Sequence, residues 1–194
     1  MEASIDLLFV GGEEDPHTVF SLTTELRPCP VEAPSGGADI DADLAGLRPG
    51  SLLICADDDK IARMGYKGII NCSKAEEWMV LGESYEEASR LVEMVTAEAA
   101  VRGDENVICI FDQNMEYRAG IVLGTEVTVS LREAGFRGVI VIRSANDEPA
   151  SRKMYIEAGA NGYLSKEGKA TTIASSLLQT YARVFHMGAL ASLT

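Results

Sequence analysis

The sequence predicts an α/β fold, a doubly wound five-stranded parallel sheet, and three observations carry that reading. From Ser51 onward, short apolar runs alternate with amphipathic stretches. The runs are continuously hydrophobic rather than alternating, as in strands covered on both faces. Each is followed by enough chain for a right-handed helical crossover, and five such strand–helix units fit into about 135 residues.

The elements follow in order. Leu52 to Cys55 reads as a buried strand running into Asp57-Asp58-Asp59, and Lys60 to about Cys72 as a helix with Asp59 as its N-cap. Glu77 to Leu81 is the second strand. Ser84-Tyr85-Glu86-Glu87 has the form of a capping box, in which Ser84 and Glu87 reciprocally satisfy backbone donors. It opens a helix whose apolar face is Ala88, Leu91, Val92, Val95 and Ala99. Val107-Ile108-Cys109-Ile110-Phe111 then runs abruptly into a single carboxylate, Asp112, with a Gly103-Asp104 turn signal ahead of it. Thr125 to Ala134 is the third helix and Val139 to Ile142 the fourth strand. Asp147 to Ala158 is the fourth helix, with Pro149 in its first turn. Gly162 to Leu164 is the fifth strand, and Ile173, Leu177, Tyr181 and Val184 line one face of a last helix that covers the sheet.

Residues 1–49 differ from all this. Pro16, Pro28, Pro30, Pro34 and Pro49 fall there, with Ser35-Gly36-Gly37 and the acidic string Asp39, Asp41, Asp43. The composition marks an N-terminal extension or linker, partly flexible, in which Ile5 to Val10 and Val19 to Leu26 are candidate short strands.

Charge and composition narrow the function classes. A net charge of −13 repels phosphate backbones and no Lys/Arg-rich run offsets it, so nucleic acid is not an expected partner. No apolar run is long enough to span a membrane. The amino terminus lacks a signal-peptide pattern, which makes a cytoplasmic location the expectation. Cys29, Cys55, Cys72 and Cys109 form no CxxC pair and read as small hydrophobes in a reducing compartment. His17 and His186 are isolated and sit in no motif.

In such a sheet the carboxyl ends share one edge, so the residues that just follow each strand become neighbours. These are Asp57 and Asp58, Asp112, Ser144 and Lys166. Crowded carboxylates repel, and a hard divalent cation such as Mg²⁺, which takes oxygen ligands, relieves the repulsion. An ionised Asp can also attack phosphorus to form an aspartyl-phosphate. A metal on one side and an ammonium on the other would neutralise the oxygens involved, and Ser144 would offer a neutral donor.

Residues 51 to about 186 resemble the receiver domain of two-component response regulators. The acidic pair Asp57-Asp58, the run Asp112-Gln113-Asn114-Met115, the pair Ser144-Ala145 and the string Gly159-Ala160-Asn161-Gly162-Tyr163-Leu164-Ser165-Lys166 match its motifs in order. The resemblance implies the flavodoxin-like (βα)5 receiver fold with strand order 2-1-3-4-5. It places the receiver domain at 50–187 and a C-terminal tail at 188–194. It also implies roles: Asp112 as phosphoacceptor, Asp57, Asp58, Asp112 and the backbone carbonyl of Asn114 as ligands of Mg²⁺ (or Mn²⁺), and Lys166 as the phosphate-binding lysine. Ser144 would be the switch hydroxyl, Tyr163 the switch aromatic, and Asn114 and Asn146 would influence phosphoryl lifetime. The implied partners are a histidine kinase or histidine phosphotransfer protein and a downstream output protein or domain, with room for a phosphorylation-dependent homodimer. The implied protein is a phosphoacceptor signalling domain rather than an enzyme, at most self-catalysing phosphotransfer and dephosphorylation.

Three departures from the family pattern stand out. Glu116, rather than Pro, follows soon after Met115. The phosphoacceptor loop is longer by about four residues, Tyr117 to Leu123 holding the excess. Glu167 follows Lys166 where the family has a cis-proline, and a cis bond before any other residue costs about 2.5–4 kcal/mol.

Each signal also has a plainer reading alone: an N-cap cluster for Asp57–Asp59, a turn residue for Asp112, solvated loop residues for Ser144 and Lys166, a strand aromatic for Tyr163. Two rival functions stay open at this stage. One is the receiver portion of a hybrid histidine kinase, suggested by Val19 to Leu26 followed by the Pro-rich linker. The other is a small Mg²⁺-dependent phosphatase of the haloacid dehalogenase type, although Asn114 stands where its second Asp belongs.

Overall fold

In the computed structural model the described residues are 46–191, with side chains described up to residue 185. The two strand candidates of the extension, His17, Cys29 and the side chain of His186 lie outside them. The parallel sheet has five strands, β1 (Leu52–Ala56), β2 (Glu77–Leu81), β3 (Val107–Asp112), β6 (Val139–Ser144) and β7 (Gly162–Ser165), in the order β2-β1-β3-β6-β7. Leaving aside the strands β4 (Asn114–Tyr117) and β5 (Gly120–Leu123), which pair only with each other, this is the order 2-1-3-4-5.

The continuous apolar runs form the centre because both of their faces are covered. Ile54, Cys109, Phe111, Ile140 and Ile142 face one cluster, closed by Leu91 and Val95 of α3 (Leu91–Arg102), Leu131 of α4 (Gly124–Glu133) and Tyr155 of α5 (Pro149–Glu157). Leu53, Cys55, Ile108, Ile110 and Val141 face the other, closed by Tyr66 and Ile69 of α1 (Lys60–Ser73) and by Leu177 and Tyr181 of α6 (Ala170–Ala191). Burying each of these strand side chains contributes roughly 1.5–3 kcal/mol, and it is burial on two faces that makes β1, β3 and β6 uniformly apolar. Leu47, in the stretch read as linker, joins the second cluster and donates its N–H to Ser73 O at 3.1 Å.

Several expectations are refined. The helix opened by Ser84 is two: α2 (Tyr85–Ser89) and α3 are separated at Arg90. There the turn tightens to a bond from Arg90 N–H to Glu87 O, three residues back. Ala88, Leu91, Val95 and Ala99 are buried as expected, and Val92 only partly. Half of the capping box forms, with Ser84 Oγ accepting from Glu87 N–H at 3.2 Å. The other half is displaced: Glu87 Oε2 accepts from Gly82 N–H (2.7 Å) and Glu83 N–H (2.8 Å) instead of from Ser84. Gly82, at φ +98°, turns both amides toward the carboxylate, and two charge-assisted bonds outweigh one. The excess loop is a β-hairpin, β4–β5, that leads directly into α4. The last helix continues to Ala191, beyond the start at 188 expected for a tail. The bond after Lys166 is trans. Among the described residues no helix is long and apolar enough to cross a membrane.

Candidate functional site

The carboxyl edge of the sheet gathers the acids as the strand pattern requires. β1 pairs with β3 from Leu52↔Val107 to Ala56↔Phe111, so Asp57, just past β1, and Asp112, the last residue of β3, stand side by side at the sheet's edge. Both are buried, Asp57 fully and Asp112 to 3 % exposure. One carboxylate oxygen from each of Asp57, Asp58 and Asp112 lies within 4.8 Å of the others. Lys166, just past β7, closes the group: its Nζ is 2.8 Å from Asp112 Oδ1 and 3.2 Å from Asp57 Oδ2.

The pocket is short of positive charge. Burial, and then the charges of Asp57 and Asp58, push the Asp112 carboxyl up to about 6 against the opposing pull of Lys166. Burial also raises Asp57, and Lys166 only partly counters it. For Lys166, burial would lower the ammonium, but its hydrogen bond to Asp112 and the charges of Asp112 and Asp57 outweigh that and leave it raised. A divalent cation suits this donor set: three convergent carboxylate oxygens, with the buried Asp57 Oδ2 met by the Lys166 ammonium at 3.2 Å and the Arg143 guanidinium at 3.8 Å.

The acids are held by residues that sequence reading passed over. Arg63, one turn after the Asp59 cap, donates from Nη1 to the carbonyls of Asp57 (3.0 Å), Asp58 (2.6 Å) and Gly82 (3.2 Å). The hairpin lies against the same loops. Glu116 N–H donates to Asp58 Oδ2 at 3.0 Å, and the Tyr117 hydroxyl to Gly82 O at 2.9 Å. Burial and the charge of Asp58 push the Tyr117 hydroxyl up to about 12, which keeps it a donor. Tyr117 also meets Tyr85 edge to face, ring centroids 6.0 Å apart. Arg143, paired with Asp112 across the β3–β6 ladder, brings Nη1 to 3.8 Å from Asp57 Oδ2.

The other predicted residues stand further from the acids. Ser144 is the last residue of β6, buried, with Oγ accepting from Asn146 N–H at 3.1 Å. Its carbonyl accepts from Lys166 N–H (2.9 Å) and, at 3.4 Å, from the Tyr163 hydroxyl, which ties it to the lysine loop and the aromatic. Tyr163 is half-buried, stacked on Tyr155 at 5.9 Å and covered by Arg152 at 5.2 Å. Asn146 is exposed, and its side chain caps Glu148 N–H (3.1 Å) rather than reaching the acids. Asn114 is exposed at the start of β4.

A family model, the response regulator receiver domain, matches residues 53–178, more than half of the chain. The chain belongs to that family. Solved structures agree on the fold. The signal receiver domain of the putative response regulator NarL from Mycobacterium tuberculosis is 20% identical with a TM-score of 0.50, over 68% of this chain and 95% of that one. The Vibrio cholerae chemotaxis protein CheY4 is 18% identical with a TM-score of 0.52, over 67% and 98%. A chain from the Saccharomyces cerevisiae co-crystal of the histidine phosphotransfer signalling protein Ypd1 with the receiver domain of its downstream response regulator Ssk1 is 11% identical. Its TM-score is 0.53, over 70% of this chain and 92% of that one. At these identities the likeness is one of fold. No curated protein sequence matches the chain. As a receiver, the chain is a signalling domain of two-component or phosphorelay type; receivers typically bind Mg²⁺ at an acidic pocket, and Asp57, Asp58 and Asp112 form a cluster able to hold a metal ion.

Proposed function

We propose that residues 50–187 are a receiver that takes a phosphoryl group from a phosphohistidine onto Asp112. The observation that carries this is the position of Lys166 Nζ, within 2.8 Å of Asp112 Oδ1 and 3.2 Å of Asp57 Oδ2, at the mouth of three convergent carboxylates. An Asp112 carboxylate oxygen attacks phosphorus, a new P–O bond forms, and the donor's P–N bond breaks with its electron pair leaving on the imidazole nitrogen. Lys166 releases part of its contact with Asp57 to hold a phosphoryl oxygen, and the Ser144 hydroxyl, now spent on Asn146 N–H, turns to hold another. Asp57, Asp58, Asp112 and the Asn114 backbone carbonyl are the residues that would bind Mg²⁺, with Mn²⁺ as a substitute. When bound, the cation neutralises the charge that accumulates on the transferring group.

The donor would be a histidine kinase or a histidine phosphotransfer protein, the latter being the kind of partner in the Ypd1–Ssk1 co-crystal. Asn114 and Asn146, both exposed, would affect how readily water reaches the acyl phosphate. Because the Ser144 carbonyl touches both the Lys166 amide and the Tyr163 hydroxyl, rearrangement at Ser144 would pass to the face built by α5, β7 and α6. That face is the proposed output surface toward a partner protein or domain.

Incubation of the full chain with acetyl phosphate, or with beryllofluoride as a phosphoryl stand-in, in the presence of Mg²⁺ tests the assignment. With acetyl phosphate, intact mass should rise by one phosphoryl group in the wild type, and Asp112→Asn should reduce uptake at least about a hundredfold. Equal uptake by the variant would remove Asp112 from the role.

A further inference from the structure

Arg143 is not explained by the function proposed above. It lies on a central strand, is 7 % exposed, and has both Nε and Nη1 buried without a hydrogen-bond partner. Its guanidinium stacks on the buried Tyr66 ring, 4.9 Å from the centroid. Burying an unpaired guanidinium among β-strands is strongly unfavourable unless nearby negative charge compensates it. The compensation in reach is Asp57, whose Oδ2 is 3.8 Å from Nη1, an electrostatic contact too long for a hydrogen bond.

The charge count then differs from what the three acids alone suggest. Asp57, Asp58 and Asp112 face two permanent cations, Lys166 at the mouth and Arg143 on the strand side. We propose that Arg143 is a built-in counter-ion of the acidic pocket, one that stabilises the metal-free state and weakens the binding of a divalent cation through Asp57. This rests on the reading that the acid trio binds such a cation. A divalent cation held through the Asp57 carboxylate would share it with the Arg143 guanidinium, and the two positive charges would weaken each other's hold by Coulomb repulsion. A pocket partly neutralised from within holds a metal loosely until a further anion arrives, which would make occupancy depend on the incoming phosphoryl group. Arg143 is thus a positioning and charge-balancing residue that acts through Asp57.

Calorimetric titration of the full chain with MgCl₂ at pH 8, without any phosphoryl donor, reads this directly. Arg143→Met should bind Mg²⁺ at least about tenfold more tightly than wild type, roughly 1.4 kcal/mol. Arg143→Lys, which keeps the charge, should stay within about threefold of wild type. Thermal unfolding supplies the readout that packing alone would not move. Arg143→Met should lose more melting temperature in EDTA than in saturating Mg²⁺, whereas loss of the Tyr66 stack alone would cost the same in both. If Arg143→Met does not fold, Arg143→Gln carries the same expectations. Unchanged or weaker Mg²⁺ binding in the neutral variants, with the wild type binding normally, would overturn the counter-ion role and leave the metal site standing. Failure of the wild type itself to bind Mg²⁺ would overturn both.

Discussion

The two sides of the site's mouth are fastened differently. On the acidic side the cross-links join distant parts of the chain. Glu116 N–H reaches Asp58 across 58 residues, the Tyr117 hydroxyl reaches Gly82 across 35, and Arg63 ties the carbonyls of Asp57, Asp58 and Gly82 into one knot. On the other side, Ser144 Oγ, Asn146 Oδ1 and Ser165 Oγ each hold a backbone amide only two residues ahead. Residues 145–150 are exposed. Local turns of this kind open without disturbing the core, whereas the acidic side cannot move unless several elements separate. The difference is one of range: an acidic half cross-linked between distant loops, and a Ser144–Glu148 half whose side-chain bonds are local and which is tied to the lysine loop and Tyr163 through the Ser144 carbonyl.

The largest effect that would test this contrast comes from two glycines. Gly82 sits at φ +98°, and a Cβ there would lie 2.6 Å from the Asp57 carbonyl oxygen. Gly168, beyond Lys166, sits at φ +123° with nothing within 4 Å of a Cβ. Gly82→Ala combines backbone strain with a clash against a fixed carbonyl and should destabilise by about 4 kcal/mol. Gly168→Ala meets strain alone and should cost about 1 kcal/mol. Urea unfolding of both variants makes the comparison, and similar costs would mean that the two halves are equally rigid.

How far this arrangement could be read from the sequence depends on the range of the interaction. β1, β3 and β6 were legible because burial on two faces leaves a continuous apolar run, and the positions of Asp57, Asp58 and Asp112 followed from topology once β1 and β3 ended where they do, with Lys166 added by the end of β7. Asp59 as N-cap was legible too, since its carboxylate serves the amides of Ile61 and Ala62, within the first turn. The hairpin was not. Each of its strands has four residues, too few for a period to register, although Met115 buried between exposed Asn114 and Glu116 is a trace of alternation. Arg63 reads as one more polar residue on an amphipathic helix, because nothing local reveals that three carbonyls from two loops converge on it. Arg143 does leave a signal, a cation at the end of Val139-Ile140-Val141-Ile142, but the apolar run stops at Ile142, and nothing local shows that the strand continues through Arg143 to Ser144.

A second test uses the electrostatic side of the contrast. The Asp112 carboxyl titrates at about 6 in the folded protein against an ordinary 3.8, with burial as the first cause. A raised carboxyl pKa means that the folded state binds the proton more tightly. The resulting stability is complete below about 3.8 and is lost as pH rises through 6. A shift of this size corresponds to about 3 kcal/mol. Asp57, also raised by burial, acts in the same direction. In EDTA, therefore, stability measured by urea unfolding should fall between pH 4.5 and 7.5, and Asp112→Asn should flatten most of that fall. Saturating Mg²⁺ should oppose it in the wild type. A metal-free protein that grew more stable over the same interval would show that the acidic half is not held against its own repulsion.

The smallest effect isolates the hairpin's hold on the acidic loops. Tyr117→Phe keeps the ring against Tyr85 and removes only the hydroxyl that donates to Gly82 O. That carbonyl retains Arg63 Nη1 at 3.2 Å, so it is not left unsatisfied and the cost should be about 1 kcal/mol, the net value of one neutral hydrogen bond. The informative readout is local. Amide exchange should speed up at Glu116, whose N–H holds Asp58, while the amides of Asn146 and Glu148 on the other side keep their wild-type rates. Faster exchange on both sides would mean that the hairpin braces the whole mouth. Acceleration confined to the hairpin and the Asp58 loop would identify Tyr117 as the latch of the acidic half, because its hydroxyl is the side-chain donor of the hairpin that reaches the β2–α2 loop.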